Sequence, residues 1–304
     1  TTHQGKPLAS ADRACLMAHD ADSFNRWDAK QEYGCGIILA VARDLQRGAA
    51  PQSDTAFLDA MGAIIAAQGL DSQFKAALLA LPSEDYVASH MDVEDPPALH
   101  RARRWVQRCV AQRHEVALRA LYDSLSENGP YVPDAAGMGR RALKNGALAY
   151  LAALETPPST RLVKAAFDGA GNMTDRMAAL TCLAALDAPD RTEALTAFYA
   201  RFRSDHLVAN KWLAVQAASP LPGTLDTVKS LLAHEAFDLK NPNKVRAVIG
   251  TFASMNPVNF HSADGAGYAF LADQIIAIDA FNAEAAARLI APLARWKRFD
   301  AQRQ

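Results

Sequence analysis

Two histidine–glutamate pairs are the first places where catalytic metal chemistry would be sought in this sequence. His114-Glu115 and His234-Glu235 each begin the arrangement in which two histidines four residues apart grip zinc and a neighbouring glutamate acts as base. Leu118 and Asp238 stand where the second histidine would have to be. Both pairs therefore read as surface residues of helices. The remaining histidines are isolated and read as surface or packing residues. No GxSxG elbow, P-loop or GxGxxG fingerprint occurs. Gly169-Ala170-Gly171-Asn172 precedes a helical pattern but follows no strand, so it reads as a loop with a capped helix start rather than a phosphate cradle. Asp92, Glu94 and Asp95 lack the glycine-centred loop of a calcium site and read as solvated charge. No catalytic centre and no metal site is expected.

Arg101, Arg104 and Arg108 share one helical face, with Arg103 and Arg113 nearby. A nucleic-acid groove would need stacking aromatics between them, and only Trp105 is present, with acids just upstream. A solvated, locally compensated face is the better reading. The formal net charge of −1 agrees with no nucleic-acid and no membrane-surface partner.

The elements that carry these residues are helical. Strand-like alternation is nearly absent, and apolar residues recur at helical spacing, as in Phe57, Met61, Ile64 and Ile65, or Leu118, Leu121 and Leu125. The stretch 99–125 predicts one long helix or two broken near Gln112. Punctuation is frequent. Ser53 and Asp54 cap a helix through Ala67 that Gly69 ends, Asp71 caps the next, and Pro82-Ser83 separates that one from its successor. Asn172 or Thr174 caps a helix over 177–186, which Asp187-Ala188-Pro189 stops. Asn241-Pro242 places a cap before a proline at the first helical position. Roughly 13 to 16 short helices joined by short loops result. Many amphipathic helices without a sheet predict an all-α fold, a superhelical array of stacked helix pairs of the ARM/HEAT-like solenoid kind, with degenerate repeats. One continuous array is expected, with a soft sub-boundary near 128–133.

No apolar run approaches the roughly 20 residues that cross a bilayer. Residues 1–6 form no apolar signal region, so the expected location is cytoplasmic. Cys15, Cys35, Cys109 and Cys182 form no CxxC pair and read as small buried hydrophobes in a reducing compartment.

Specific residues then say more than composition does. Leu16-Met17-Ala18-His19 with Asp22-Ser23-Phe24-Asn25-Arg26-Trp27-Asp28-Ala29, and Asn172-Met173-Thr174-Asp175, resemble segments of one known domain. The densest match covers 211–304. It includes Gln216-Ala217-Ala218-Ser219-Pro220, Asn241-Pro242-Asn243-Lys244-Val245-Arg246, Ile249-Gly250, Asn256-Pro257, Phe260-His261, Asp264-Gly265 and Gly267-Tyr268. It continues through Arg288-Leu289-Ile290-Ala291-Pro292-Leu293 and Lys297-Arg298-Phe299-Asp300-Ala301. In this order, over nearly the whole chain, the segments resemble the C-terminal helical domain of the bacterial aminopeptidase N (alanyl aminopeptidase) family of M1 zinc metallopeptidases. Residues 1–9 do not match clearly and read as an interdomain remnant or leader. The matched domain is 10–304, and the family pattern continues beyond Gln304.

The resemblance implies a non-catalytic domain of an enzyme that removes N-terminal amino acids from peptides. The zinc, the HExxH motif and the GxMEN motif would belong to a catalytic domain whose motifs are absent here, so no cofactor is expected in this chain and the chain alone is expected to be inactive. The implied partners are that catalytic domain, over which the helical domain curves to limit access, and peptides in the enclosed cavity. Arg246 and Arg288 resemble positions that face this cavity. The residues supply a rationale of their own. Val245, Ile249 and Phe252 mark a buried stripe, and Arg246 lies beside it, where a guanidinium can hold a peptide carboxylate with two hydrogen bonds or, alternatively, tie off helix-end carbonyls or pair with a neighbouring acid. Asn241 reads as a cap, Asp264-Gly265 as a turn, Trp27 and Trp212 as packing aromatics, and Pro292 as a kink or a new start. A free-standing helical-repeat scaffold for a protein partner is the alternative function.

Overall fold

The structure, a computed structural model, describes residues 2–3 and 6–7 through their backbone and residues 8–126, 129 and 131–304 in full. The chain forms two compact units. The first comprises Thr1–Met91 and Ala98–Ala179, the second Asp92–Pro97 and Leu180–Gln304. Of the predicted soft boundary, Asn128 and Pro130 lie outside the described residues.

A short antiparallel ladder, β1 (Thr2–His3) with β2 (Lys6–Pro7), precedes the helices of the first unit. These are α1 (Ser10–His19), α2 (Ser23–Gln46), α3 (Thr55–Ala66), α4 (Ser72–Leu79), α5 (Glu84–Ala88), α6 (Pro96–Ser124), α7 (Ala135–Ala152) and α8 (Pro157–Asp168). α9 (Met173–Ala184) contains the division point. The second unit continues with α10 (Pro189–Phe202), α11 (His206–Ala217), α12 (Thr224–Leu232), α13 (Pro242–Val245), a π-helical turn (Arg246–Gly250), α14 (Thr251–Met255), α15 (Pro257–Phe260), α16 (Ala266–Asp279) and α17 (Ala283–Leu289). Two 3-10 turns, Ala291–Leu293 and Trp296–Arg298, follow. The expected all-α class holds. Apart from the ladder, only an isolated bridge of Glu94 to Phe299 has β character among the described residues.

The helices begin where side chains can take up orphan amides. Asp54 accepts from the Phe57 amide at 3.0 Å, Asp71 from Phe74 at 2.9 Å, and Ser83 from Tyr86 at 3.2 Å. Asn172 accepts from Asp175 at 2.9 Å, and Asn241 from Asn243 at 3.0 Å. Each such cap contributes about 1 kcal/mol. The helix after Asn172 starts earlier than expected, at Met173, because Asn172 and not Thr174 is the cap. In α3 the predicted stripe of Phe57, Met61, Ile64 and Ile65 is buried throughout. Such side chains contribute about 1.5–3 kcal/mol each.

The stretch 99–125 is one helix with an interruption. α6 continues to Ser124 but leaves helical geometry at His114 (φ −121°, ψ 22°), two residues beyond the predicted break. His114 is half-buried, and its Nε2–H donates to the Leu58 carbonyl at 2.8 Å. A Cβ on Gly62 would stand 2.5 Å from the imidazole Cε1, so only glycine admits the ring. His114 is thus a packing residue, not the surface residue expected. His234 is likewise a packing residue and not the surface helix residue expected. It lies past the end of α12, and its ring is 5.0 Å from those of both Tyr199 and Trp212.

Trp212 is a core aromatic whose Nε1–H donates to the Leu195 carbonyl at 2.9 Å. Trp27 is not; it is 37% exposed beside the more exposed Phe24. Of the cysteines only Cys35 is fully buried, and burial pushes its thiol up to about 11. Cys109 and Cys182 are half-buried and Cys15 is exposed. A small side chain on an amphipathic helix face is not enough to place it inward.

Candidate functional site

Arg246 and Arg288, separated by 41 intervening positions in sequence, line one groove of the second unit, about 630 Å³ in volume. Two elements present them. On one side, Asn241 caps α13, and the turn that follows widens to π-helical spacing over Arg246–Gly250. Val245, Ile249 and Phe252 are buried, which anchors this element and leaves Arg246 exposed beside the stripe. The Arg246 guanidinium donates to Asn243 Oδ1 at 3.1 Å, while its carbonyl accepts from the Thr251 hydroxyl at 3.2 Å. A π-turn of this sort inserts a residue into the helix and recurs at functional sites.

On the other side, Asn282 caps α17 by accepting from the Ala285 amide at 3.0 Å. Ala286 and Leu289 face inward, so Arg288 faces out. It pairs with Glu284 one turn earlier at 2.6 Å, both side chains being almost four-fifths exposed. An exposed pair of this kind contributes less than about 1 kcal/mol and yields to a competing anion. Val245, Met255, Leu289 and Pro292 give the groove apolar surface, with Ser254 as a hydroxyl donor. Two guanidinium groups against one carboxylate leave the groove a net cationic charge. It can hold an anion and an apolar chain; it contains no nucleophile activated by a base.

The other constellations found in the sequence are accounted for by structure. Arg104 and Arg108 both pair with Glu155, at 2.5 and 2.9 Å, and Arg113 pairs with Asp59. Arg103 donates to the Pro82 carbonyl at 2.8 Å. Arg104, Arg108 and Arg113 thus take acidic partners from other segments of the first unit. At the Gly169 to Asn172 loop, Asp175 already fills the place a phosphate would take. Its carboxylate accepts from Lys144 and Asn145, each at 3.0 Å, and from Asn172 at 3.2 Å. A second anion there would meet a resident one.

The acidic stretch departs from expectation. Glu94 is not solvated but 4% exposed, accepting from Arg295 and from Arg298 Nε at 3.1 Å. Its partners lie some two hundred residues away, and no local signal in the sequence marks them. His261 is also buried; burial, with Arg303 and Arg295 nearby, pushes it down to about 4, so it is neutral at physiological pH. Its Nδ1 shares a 2.9 Å hydrogen bond with the Tyr268 hydroxyl. Among the described residues no group of three or more His, Cys, Asp or Glu side chains is placed to hold a metal ion. No helix among them is long and apolar enough to cross a membrane.

Comparison with known proteins places this geometry. A family model described as a domain of unknown function (DUF3458_C) with ARM repeats matches residues 10–304. The chain is 40% identical over 291 residues to aminopeptidase N of Caulobacter vibrioides and 37% identical over 290 residues to aminopeptidase N of Escherichia coli. Each match takes in 95% of this chain and 33% of the relative. The fold is similar to the crystal structure of Legionella pneumophila aminopeptidase A in complex with aspartic acid. That match has a TM-score of 0.87 and 28% identity, over 98% of this chain and 35% of that one. The chain spans about a third of the length of the curated relatives it matches. The chain belongs to the DUF3458_C family of ARM-repeat domains and corresponds to the C-terminal helical domain of aminopeptidase N homologues.

Proposed function

We propose that this chain is the non-catalytic helical domain of a zinc aminopeptidase, that it caps the catalytic domain, and that it limits peptide access to the enclosed active site. The zinc does not fit this chain, whose described residues offer no set of donors for it. What the chain contributes is binding and orientation. The observation that carries the reading is the convergence of Arg246 and Arg288 on one groove from two separately anchored elements. A guanidinium offers a carboxylate two parallel hydrogen bonds. Two of them above an apolar strip suit the carboxyl end of a short peptide whose amino end points away toward the catalytic part. The aspartic acid held by the Legionella relative is a carboxylate ligand of the same chemical class.

Titration of tetra-alanine and of its C-terminal amide against the wild-type chain, Arg246→Ala and Arg288→Ala tests this. The acid is expected to bind more tightly than the amide to the wild type only. Equal affinity in all three chains would remove the carboxylate clamp. Stoichiometric zinc, or hydrolysis of an alanine chromogenic substrate that a chelator abolishes, would refute the non-catalytic assignment. The alternative of a free-standing scaffold for a protein partner draws on the exposed Phe24 and Trp27 rings, 6.3 Å apart. An upstream reading frame carrying HExxH would exclude it.

A further inference from the structure

The segment Asp92–Pro97 belongs to the second unit although the chain on both sides of it belongs to the first. Glu94 and Pro96 are its buried residues, and Glu94 is the charged one. Beyond the side-chain pairing with Arg295 and Arg298, its backbone N–H donates to the Arg298 carbonyl at 2.7 Å, and a parallel bridge joins it to Phe299. The two arginines are 47% and 42% exposed, so they reach from solvent to a carboxylate that is not. Taking a carboxylate out of water is unfavourable unless it is paired, and here both cations meet on one oxygen.

The clasp holds the far end of a stretch that has little stiffness of its own. Between α17 and Phe299 the chain makes only 3-10 turns, whose hydrogen bonds are poorly aligned. α17 fixes the near end through Ala286 and Leu289. The far end is fixed at Phe299, which is buried with its ring 4.3 Å from that of His261, and by Glu94. Ala291 and Pro292, between these two anchors, form a wall of the groove.

We infer that Glu94 is a positioning residue for the groove of Arg246 and Arg288, holding the 291–299 segment, and with it the wall of Ala291 and Pro292, in place through Arg295 and Arg298. The inference rests on the proposed peptide-binding role of that groove. Glu94→Gln removes the charge at nearly constant size. Arg298→Gln weakens the same clasp while Arg295 still neutralises Glu94, so no buried charge is stranded, and it carries the test if the first variant does not fold. Amide hydrogen exchange and titration with tetra-alanine and its C-terminal amide are read together. In Glu94→Gln the 291–299 amides are expected to exchange about tenfold faster or more, with α7 and α8 unchanged. The tetra-alanine acid is expected to bind at least about threefold more weakly. Arg298→Gln changes both in the same direction by less. Unchanged exchange at 291–299 overturns the inference, and so does faster exchange with peptide affinity intact, while acid selectivity of the wild type still upholds the groove. Loss of that selectivity in the wild type itself instead overturns the groove reading, and the positioning role falls with it.

Discussion

The two units differ in which cations they bury. Every buried lysine or arginine among the described residues belongs to the first unit: Arg26, Lys30, Lys75, Arg141 and Arg176. Three of them tie off helix C-termini, where carbonyls have no partner within the helix and the helix dipole favours positive charge. Arg26 donates to the Met17 carbonyl of α1 at 3.1 Å. Lys75 donates to Ile65 and Ala67 at the end of α3, at 2.7 and 2.9 Å. Arg176 donates to Phe167 and Ala170 at the end of α8. In the second unit Arg246 and Arg288 stay at the surface, held only by short polar neighbours on their own elements. A cation spent on backbone carbonyls is structure. One left in a groove with a weak partner is available to a ligand.

Lys30 is the sharpest test of that division, because it is fully buried and its Nζ has no hydrogen-bond partner. Burial, reinforced by the charge of Arg103, pushes its ammonium down to about 7 from 10.5. Between those values the unfolded chain holds a proton that the folded chain has released, so stability rises with pH through that window. At pH 7 and below the full penalty is present, on the order of 5 kcal/mol. Lys30→Met should therefore stabilise by several kcal/mol near pH 6–7 in urea unfolding, with the gain fading toward pH 10.5. A gain independent of pH would contradict a buried, uncompensated amine.

Lys75→Met should do the reverse. Two helix-end carbonyls lose their donor, and the expected cost is about 2–3 kcal/mol. Matching signs for the two lysine variants would break the distinction between an unpaired and a carbonyl-bound cation. Smallest of all, Arg288→Ala should change stability by less than about 0.5 kcal/mol, since its pair with Glu284 is exposed. A loss above about 2 kcal/mol in the same unfolding experiment would make Arg288 a structural residue like those of the first unit.

What could be read from the sequence divides along similar lines. The caps at Asp54, Asp71, Asn172 and Asn241, and the stripe through Phe57 and Ile64, depend on neighbours within a helical turn or two, so residue spacing reveals them. The types of Arg246 and Arg288 were visible, but their meeting in one groove depends on how α13 and α17 are each packed. Glu94 was misread as solvated because its arginines come from the far end of the chain. His114 was misread because the glycine that admits its ring lies on another helix. Trp27 failed in the other direction: an aromatic at helical spacing went outward because its neighbours leave it partly uncovered. Local periodicity reports which face is apolar, and long-range packing decides which polar groups are buried against it.

The proposed clamp requires Arg246 and Arg288 to act on the same carboxylate. A double-mutant cycle on tetra-alanine affinity, using Arg246→Ala, Arg288→Ala and the double variant, tests this most directly. The prediction is a coupling energy of about 0.5 kcal/mol or more for the free acid and none for the amide. Strictly additive effects, equal for acid and amide, would show that the two arginines do not share a ligand.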